Sequence, residues 1–422
     1  MTAIVTLTLF AGMLALIVVR PRRWSEAWWT MLGAAGMLAL GLVSPREALD
    51  ATLAGKNVLL FLLSLLALSL LVGKSGFFDW AAIWCGRAAR GDARALYRNS
   101  FVLGAIVTAV LSLDTTAVIL TPVVLALVRR LKVPAAPYIV MCAFVANVGS
   151  LILPISNLTN ILFADAFHLT FAAFAARMIA PQLVALVTTY GLLRWHFRGE
   201  LPGRFNGESL PEPASVVPSR AYFVACVTVL VVVLVGYFLA PLVGVTPYVV
   251  AFAGSGVLAI AGIATGRVGA GAVRELTWDV FPFVVGLFIA VQGVENLGVV
   301  GAASGWLAHM RPGSPGELFA AAGVTAFASN VVNNLPAALV ARSVLLGSHA
   351  PMGTVLAGLV GADAGPVVTP FGSLATMLVL ALARREGEDV HPVRLAMFGA
   401  WAAPLIVVAT TLALVAHFAL VG

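Results

Sequence analysis

The chain has 422 residues, 61% of them hydrophobic and only 10% charged, and its mean hydropathy is +1.02. Soluble domains carry about 25% charged residues, so this composition excludes a water-soluble fold. It predicts an all-α polytopic membrane protein, because the apolar runs lack the alternation of an outer-membrane barrel. The net charge of +7 does not point to nucleic acid, because the basic residues lie in short loops as the positive-inside rule expects.

A helix needs about 20 apolar residues to cross roughly 30 Å of hydrocarbon, and full spans are predicted near 1–19, 27–44 and 57–73. The first has further spans directly after it and no small-residue cleavage site, so it reads as a retained helix, not a signal peptide. Residues 77–90, FFDWAAIWCGRAAR, predict an amphipathic interfacial helix. Between Arg98 and Lys132 both ends are basic and the middle is apolar except for SLDTT at 112–116. A single span would carry one basic end across, so a hairpin that enters and returns is predicted. Asp114, Thr115 and Thr116 lie at its tip. Spans near 138–163 and 173–193 follow.

Residues 194–219, with Pro202, Pro211, Pro213 and Pro218, predict a flexible cytoplasmic linker too short for a catalytic domain. Further spans are predicted near 220–240, 247–265, 278–297, 353–382 and 395–420. Between them, 317–347 predicts a second hairpin entering from the outside, with SNVVNNLP at its tip. Tryptophans 28, 29, 80, 84 and 278 sit at span ends and read as interfacial anchors. With the N-terminus outside, every Lys and Arg except Arg46, Lys56, Arg177, Arg311 and Arg342 falls on the cytoplasmic face. Both termini are then outside.

Each hairpin precedes a span interrupted in its middle, ANVGSLILPISNLTNIL (146–162) and ADAGPVVTPFGSLATML (362–378). One offset of 216 residues (363 − 147) pairs Asn147 with Asp363, Gly149 with Gly365, Pro154 with Pro370, Asn157 with Ser373 and Asn160 with Thr376. KSGFFDWAA (74–82) and NLGVVGAAS (296–304) lie at a similar offset. Residues 1–193 and 220–422 thus read as two repeats around the linker 194–219. Five spans and one hairpin per half make the second repeat inverted. Inverted repeats with interrupted helices mark secondary transporters, with substrate near the midplane.

The polar residues inside these motifs are the candidate site. Asn330, Asn333 and Asn334 stand at i, i+3 and i+4, one face if helical, with Pro336 favouring a break. Ser156, Asn157, Thr159 and Asn160 crowd beside Pro154, and Ser373 and Thr376 are their counterparts. Such groups often do no more than glue helices together, but clustering at tips and breaks in both halves favours substrate contact. Asp114 and Asp363 are sharper, because a carboxylate at mid-membrane costs at least about 2.5–3.5 kcal/mol and commonly marks an ion or proton pathway. An N-cap is the bland alternative for Asp114. Asp79, Asp165, Asp279 and the loop REGED (385–389) read as solvated, and Glu295 with Gln292 as interfacial. Cys85, Cys142 and Cys226 show no ligand spacing, and neither GxxxxGK[ST] nor HExxH occurs. No metal or cofactor is expected.

LDTTAVILTPVVLAL, FVANVGSLILPISNLTNILFADAF, SNVVNNLPAALV and GADAGPVVTPFGSLATML resemble the motifs of the arsenite efflux permeases, within a superfamily that also holds sodium/proton antiporters and dicarboxylate carriers. The resemblance runs over nearly the whole chain. It implies two re-entrant hairpins, two broken helices, a bacterial or archaeal cytoplasmic membrane, and export of arsenite and antimonite in exchange for protons. It also implies, in some systems, a soluble arsenite-stimulated ATPase as partner. Where the family pattern commonly has Asp and Cys, this chain has Asn147 and Ala362. That leaves Asp114 and Asp363 as the motif acids for protons. It assigns Asn147, Ser156, Asn157, Asn160, Asn330, Asn333, Asn334, Ser373 and Thr376 to the uncharged polyol As(OH)3. Two alternatives stay open. A sodium/proton antiporter or organic anion carrier of the superfamily would show sodium dependence. An intramembrane enzyme would need a constellation that the six scattered histidines do not offer.

Overall fold

The computed structural model describes residues 2–19, 24–201, 203–206, 210–388 and 390–421. The predicted positions Arg20, Arg22, Arg23, Pro202 and Asp389 lie outside these. Every regular element is helical. The first half holds α1 (Thr2–Val19), α2 (Glu26–Ala39), α3 (Pro45–Ala54), α4 (Lys56–Gly73), α5 (Phe77–Ala88), α6 (Ala93–Val110), α7 (Leu113–Thr115), α8 (Thr121–Arg130), α9 (Ala136–Val148), α10 (Leu158–Ala166) and α11 (Phe171–His196). After it come α12 (Arg220–Leu239), α13 (Pro247–Ala264), α14 (Val280–Glu295), α15 (Val299–Ala308), α16 (Pro315–Val332), α17 (Asn334–Gly347), α18 (Met352–Ala364), α19 (Leu374–Arg385) and α20 (Pro392–Val421).

Among the described residues, five helices (α4, α11, α12 with its 3-10 extension, α13 and α20) are long and apolar enough by themselves to cross a membrane. They are the predicted spans at 57–73, 173–193, 220–240, 247–265 and 395–420, while those at 1–19 and 27–44 are α1 and α2. The runs at 138–163 and 353–382 are each two helices around a break. The run at 278–297 is α14, which turns by 71° into α15. α3 was not anticipated, although its local signal is complete. Ser44 accepts from the backbone of Glu47 while Glu47 accepts from the backbone of Ser44, with Pro45 at the first helical position, a capping box.

The helix boundaries keep the spacing seen in the sequence. α9 and α18 begin at 136 and 352 and end at 148 and 364; α10 and α19 begin at 158 and 374. All three pairs differ by 216, so the breaks 149–157 and 365–373 correspond residue for residue. The outer packing also recurs, with α2 on α14 and α13 on α4, flanked by α1 and α12. α11 packs against α20. The hairpin arms and broken helices lie between these layers.

α18 packs tightly against α16. A Cβ on Gly361 would stand 2.2 Å from the carbonyl oxygen of Ala322, and one on Gly365 2.5 Å from Cβ of Ala326. Gly361 and Gly365 form a GxxxG stripe that lets two backbones touch. Asp363 lies between them.

The linker is not free. Leu201 and Leu210 are buried, Arg87 donates to the carbonyls of Leu210 and Pro211 at 3.3 and 3.2 Å, and Phe205 N–H donates to Gly91 at 2.8 Å. Its described residues run as a strap over α5, where sequence reasoning expected flexibility. Ion pairs join the loops of the basic face, Lys74 to Glu275 at 2.8 Å, Arg129 to Glu386 and Glu388 at 2.7 and 3.4 Å, and Arg394 to Glu200. Glu386 and Glu388 of the acidic loop are therefore paired, not merely solvated. Of the anchors, Trp28 and Trp84 are exposed, whereas Trp29 is packed inside against Trp24.

Candidate functional site

The two breaks meet. Leaving α9, the chain runs irregularly to Asn157, whose extended backbone and side-chain bond to Thr159 N–H cap α10. Ser373 has the same conformation and caps α19 through Thr376 N–H at 3.1 Å. Each cap starts a short helix whose N-terminal amides carry partial positive charge.

Asp363, in the last turn of α18 and fully buried, lies at the start of α10. Its Oδ1 accepts from Asn157 Nδ2 at 2.9 Å and from Thr159 Oγ1 at 2.6 Å. The corresponding position of the first half, Asn147, reaches the start of α19 and donates to Thr376 Oγ1 at 3.0 Å. Each interrupted helix therefore bonds the restart of the other. Buried polar groups are normally paired, yet Asp363 Oδ2, Asn147 Oδ1 and Asn160 Oδ1 are buried and have no hydrogen-bond partner in the structure.

The other predicted residues divide. Asn160 Nδ2 donates to the carbonyls of Ser150 and Leu153 at 2.6 and 2.9 Å and holds the first break in shape. Ser156 donates to Ala109 at 2.7 Å and ties that break to the first hairpin. Thr115 bonds Ser69 at 2.8 Å, and Thr116 bonds Thr108 at 2.8 Å. The cap at this tip is Ser112, which accepts from Thr115 N–H, so Asp114 is not a cap.

Asp114 is not beside Asp363 either. It lines a separate cavity of about 150 Å³ with Glu26, Leu66, Thr277 and Asp279. Helix packing gives the two acids different surroundings.

At the second tip, the three asparagines do not share a helical face. α16 stops at Val332, and Asn333 takes φ +79°, outside the helix. The break thus precedes Pro336, which sits in the first turn of α17, where no backbone donor is needed. Asn333 caps α17 and donates to Phe371 at 3.0 Å. Asn334 is buried, and its backbone N–H donates to Gly372 at 2.8 Å.

Asn330 is fully engaged. It donates to Ala326 and Gly365 at 2.9 and 2.8 Å and accepts from the amides of Val368 and Thr369, both at 3.1 Å. It latches the hairpin to the second break. Replacing Asn330 with Ala should destabilise the protein by about 1–3 kcal/mol in all, the cost of leaving the buried Gly365 carbonyl unpaired, since the other partners are only part-buried. The check is a lower melting temperature for the solubilised variant; an unchanged one would mean that the latch is dispensable.

A family model described as the arsenical pump membrane protein matches residues 5–417. The chain belongs to that family. It is 34% identical over 91% of both chains to the arsenical pump membrane protein of Yersinia enterocolitica. It is 32% identical to that of Escherichia coli K12, over 90% of this chain and 91% of the other. The crystal structure of the Alcanivorax borkumensis YdaH transporter, described as having an unusual topology, superposes with a TM-score of 0.61 at 17% identity. It covers 99% of this chain and 98% of that one, a likeness of fold.

In this arsenical pump family chain, sequence reasoning passed over Ser150 and Glu317. Ser150 donates to Asn147 and takes a long bond from Asn157, at 2.6 and 3.4 Å. Glu317 is buried at the start of α16 and accepts from Gly313 N–H at 2.6 Å and Thr354 at 2.8 Å. The run Ser314-Pro315-Gly316-Glu317 was its signal, the same cap pattern as at α3.

Proposed function

We propose that this protein exports As(OH)3, and antimonite with it, from the cytoplasm in exchange for protons. Residues 1–193 and 220–422 act as inverted halves that rock about the meeting point of the two breaks. The observation that carries this reading is the crossed pairing of the breaks with three buried oxygens left unpartnered. Asp363 Oδ2, Asn147 Oδ1 and Asn160 Oδ1 all accept hydrogen bonds. A neutral As(OH)3 offers three O–H donors and no charge, which matches unpartnered acceptors better than an anion would. Asn157, Thr159, Ser373 and Thr376 frame the site, with Asn334 at the adjacent tip. Ser156, Asn330 and Asn333 hold the hairpins to the breaks, and Asp363 carries the proton. Asp114, in its own cavity beside Asp279, serves the proton path away from the centre.

The orientation follows from the basic loops, with both termini outside and 194–219 in the cytoplasm. A soluble arsenite-stimulated ATPase would dock on that face.

The deciding experiment is arsenite accumulation in everted vesicles under an imposed proton gradient, with and without a protonophore. Accumulation that collapses with the protonophore supports proton-coupled export. No accumulation, with sodium or a dicarboxylate moving instead, overturns the substrate.

Thiolate trapping is not part of this reading, since Cys85, Cys142 and Cys226 are buried on α5, α9 and α12. A variant with all three changed to Ser should keep most of its arsenite transport in the same assay. Loss of transport by a variant that still folds would restore a thiol to the site.

A further inference from the structure

We propose that the recess between the end of α5 and the linker binds a phosphate anion, supplied by the headgroup of an anionic phospholipid. The recess measures about 620 Å³ and is lined by Arg87, Arg90, Gly91, Arg204, Phe205 and Asn206. Three arginines border it, and among the described residues no carboxylate does. Among the described residues, the side chains of Arg90 and Arg204 form no ion pair, and Arg87 donates only to linker carbonyls.

The backbone fixes this placement. Arg90 and Gly91 turn sharply through φ +49° and +80°, Phe205 N–H holds Gly91, and Asp92 bridges Arg204. The Asp92 carboxylate is itself engaged as the cap of α6, accepting from Arg94 N–H at 2.8 Å.

Guanidinium groups pair with phosphate through two parallel hydrogen bonds. Three of them bordering one recess, with no carboxylate among its described lining, favour an anion with several oxygens. What favours a lipid source over a dissolved one is the neighbouring tryptophan on α5. Trp84, two residues before Gly86 on the same helix, is 57% exposed, and indole rings settle at the headgroup level. A headgroup bound here would tie α5 to the strap that joins the two halves. This site is independent of the transported substrate.

The test uses the full chain in neutral detergent, titrated with phosphatidylglycerol or phosphatidylcholine and read by native mass spectrometry. The wild type should retain phosphatidylglycerol in preference to phosphatidylcholine. R90A/R204A should weaken that retention by about five-fold per arginine, from about 1 kcal/mol for each basic residue near an anionic surface. R90K/R204K should recover part of it, and R311A, on the opposite face, should change nothing. Equal retention by the wild type and R90A/R204A overturns the site, and equal loss in R311A reduces it to net charge. Displacement of the lipid by millimolar inorganic phosphate would overturn the lipid source.

Discussion

Changing Asp363 to Asn is expected to reduce proton-driven arsenite accumulation in everted vesicles to that of vesicles lacking the protein. The substitution preserves size, and an amide oxygen can still accept from Asn157 Nδ2 and Thr159 Oγ1, which lie at 2.9 and 2.6 Å from the native Oδ1. Folding and the crossed pairing should therefore survive. What is lost is the one acid among the groups joining the breaks. Its partner across the repeat is Asn147, already an amide. The proposed cycle needs a site that is charged in one state and neutral in the other, and intramembrane acids commonly fill that role. With Asn at both positions no such change remains. D114N separates the roles of the two acids, because Asp114 borders a different cavity. Full accumulation in D363N and in D114N would remove carboxylates from the coupling scheme.

The largest loss of stability is expected from Gly361→Ala. Its Cβ would stand 2.2 Å from the Ala322 carbonyl oxygen and 2.9 Å from the Ala326 amide nitrogen. Overpacking usually costs about 1–3 kcal/mol, with part relieved by side chains that shift. Here both obstacles are backbone, so α16 and α18 must separate, and the cost should reach or pass about 3 kcal/mol. Gly323→Ala on α16 is the control, since nothing lies within 4 Å of its Cβ. Replacing an open helical Gly with Ala is worth up to about 1 kcal/mol in propensity. Melting of the solubilised proteins should show G361A well below the wild type and G323A at or above it. Equal melting of the two variants would mean that the close approach does not hold the hairpin. Because Asp363 lies between Gly361 and Gly365, G361A should also lower transport in the fraction that still folds.

Much of this molecule was legible in its sequence because the signals are local. Apolar composition with few charges leaves only helices in a bilayer, where each backbone group must be paired within its own segment. The breaks at 149–157 and 365–373 were visible as proline, glycine and cap residues at one offset, and the structure keeps that offset at every helix boundary around them. The first hairpin tip followed from basic flanks around a polar centre, and the second from its polar centre. Even the missed helix α3 had a local mark, the capping box at Ser44 and Glu47.

Packing decided the rest. Asp363 is 206 and 204 residues from Asn157 and Thr159, and Asn147 is 229 from Thr376. No periodicity or spacing in one sequence says which side chain meets which over such separations. Tertiary structure therefore set Asp114 apart from Asp363, turned Asn330 from a face-sharing asparagine into a latch, and drew a proline-rich linker down over α5. Local chemistry determined where the chain must break. Only the meeting of distant helices determined which atoms at those breaks stayed free.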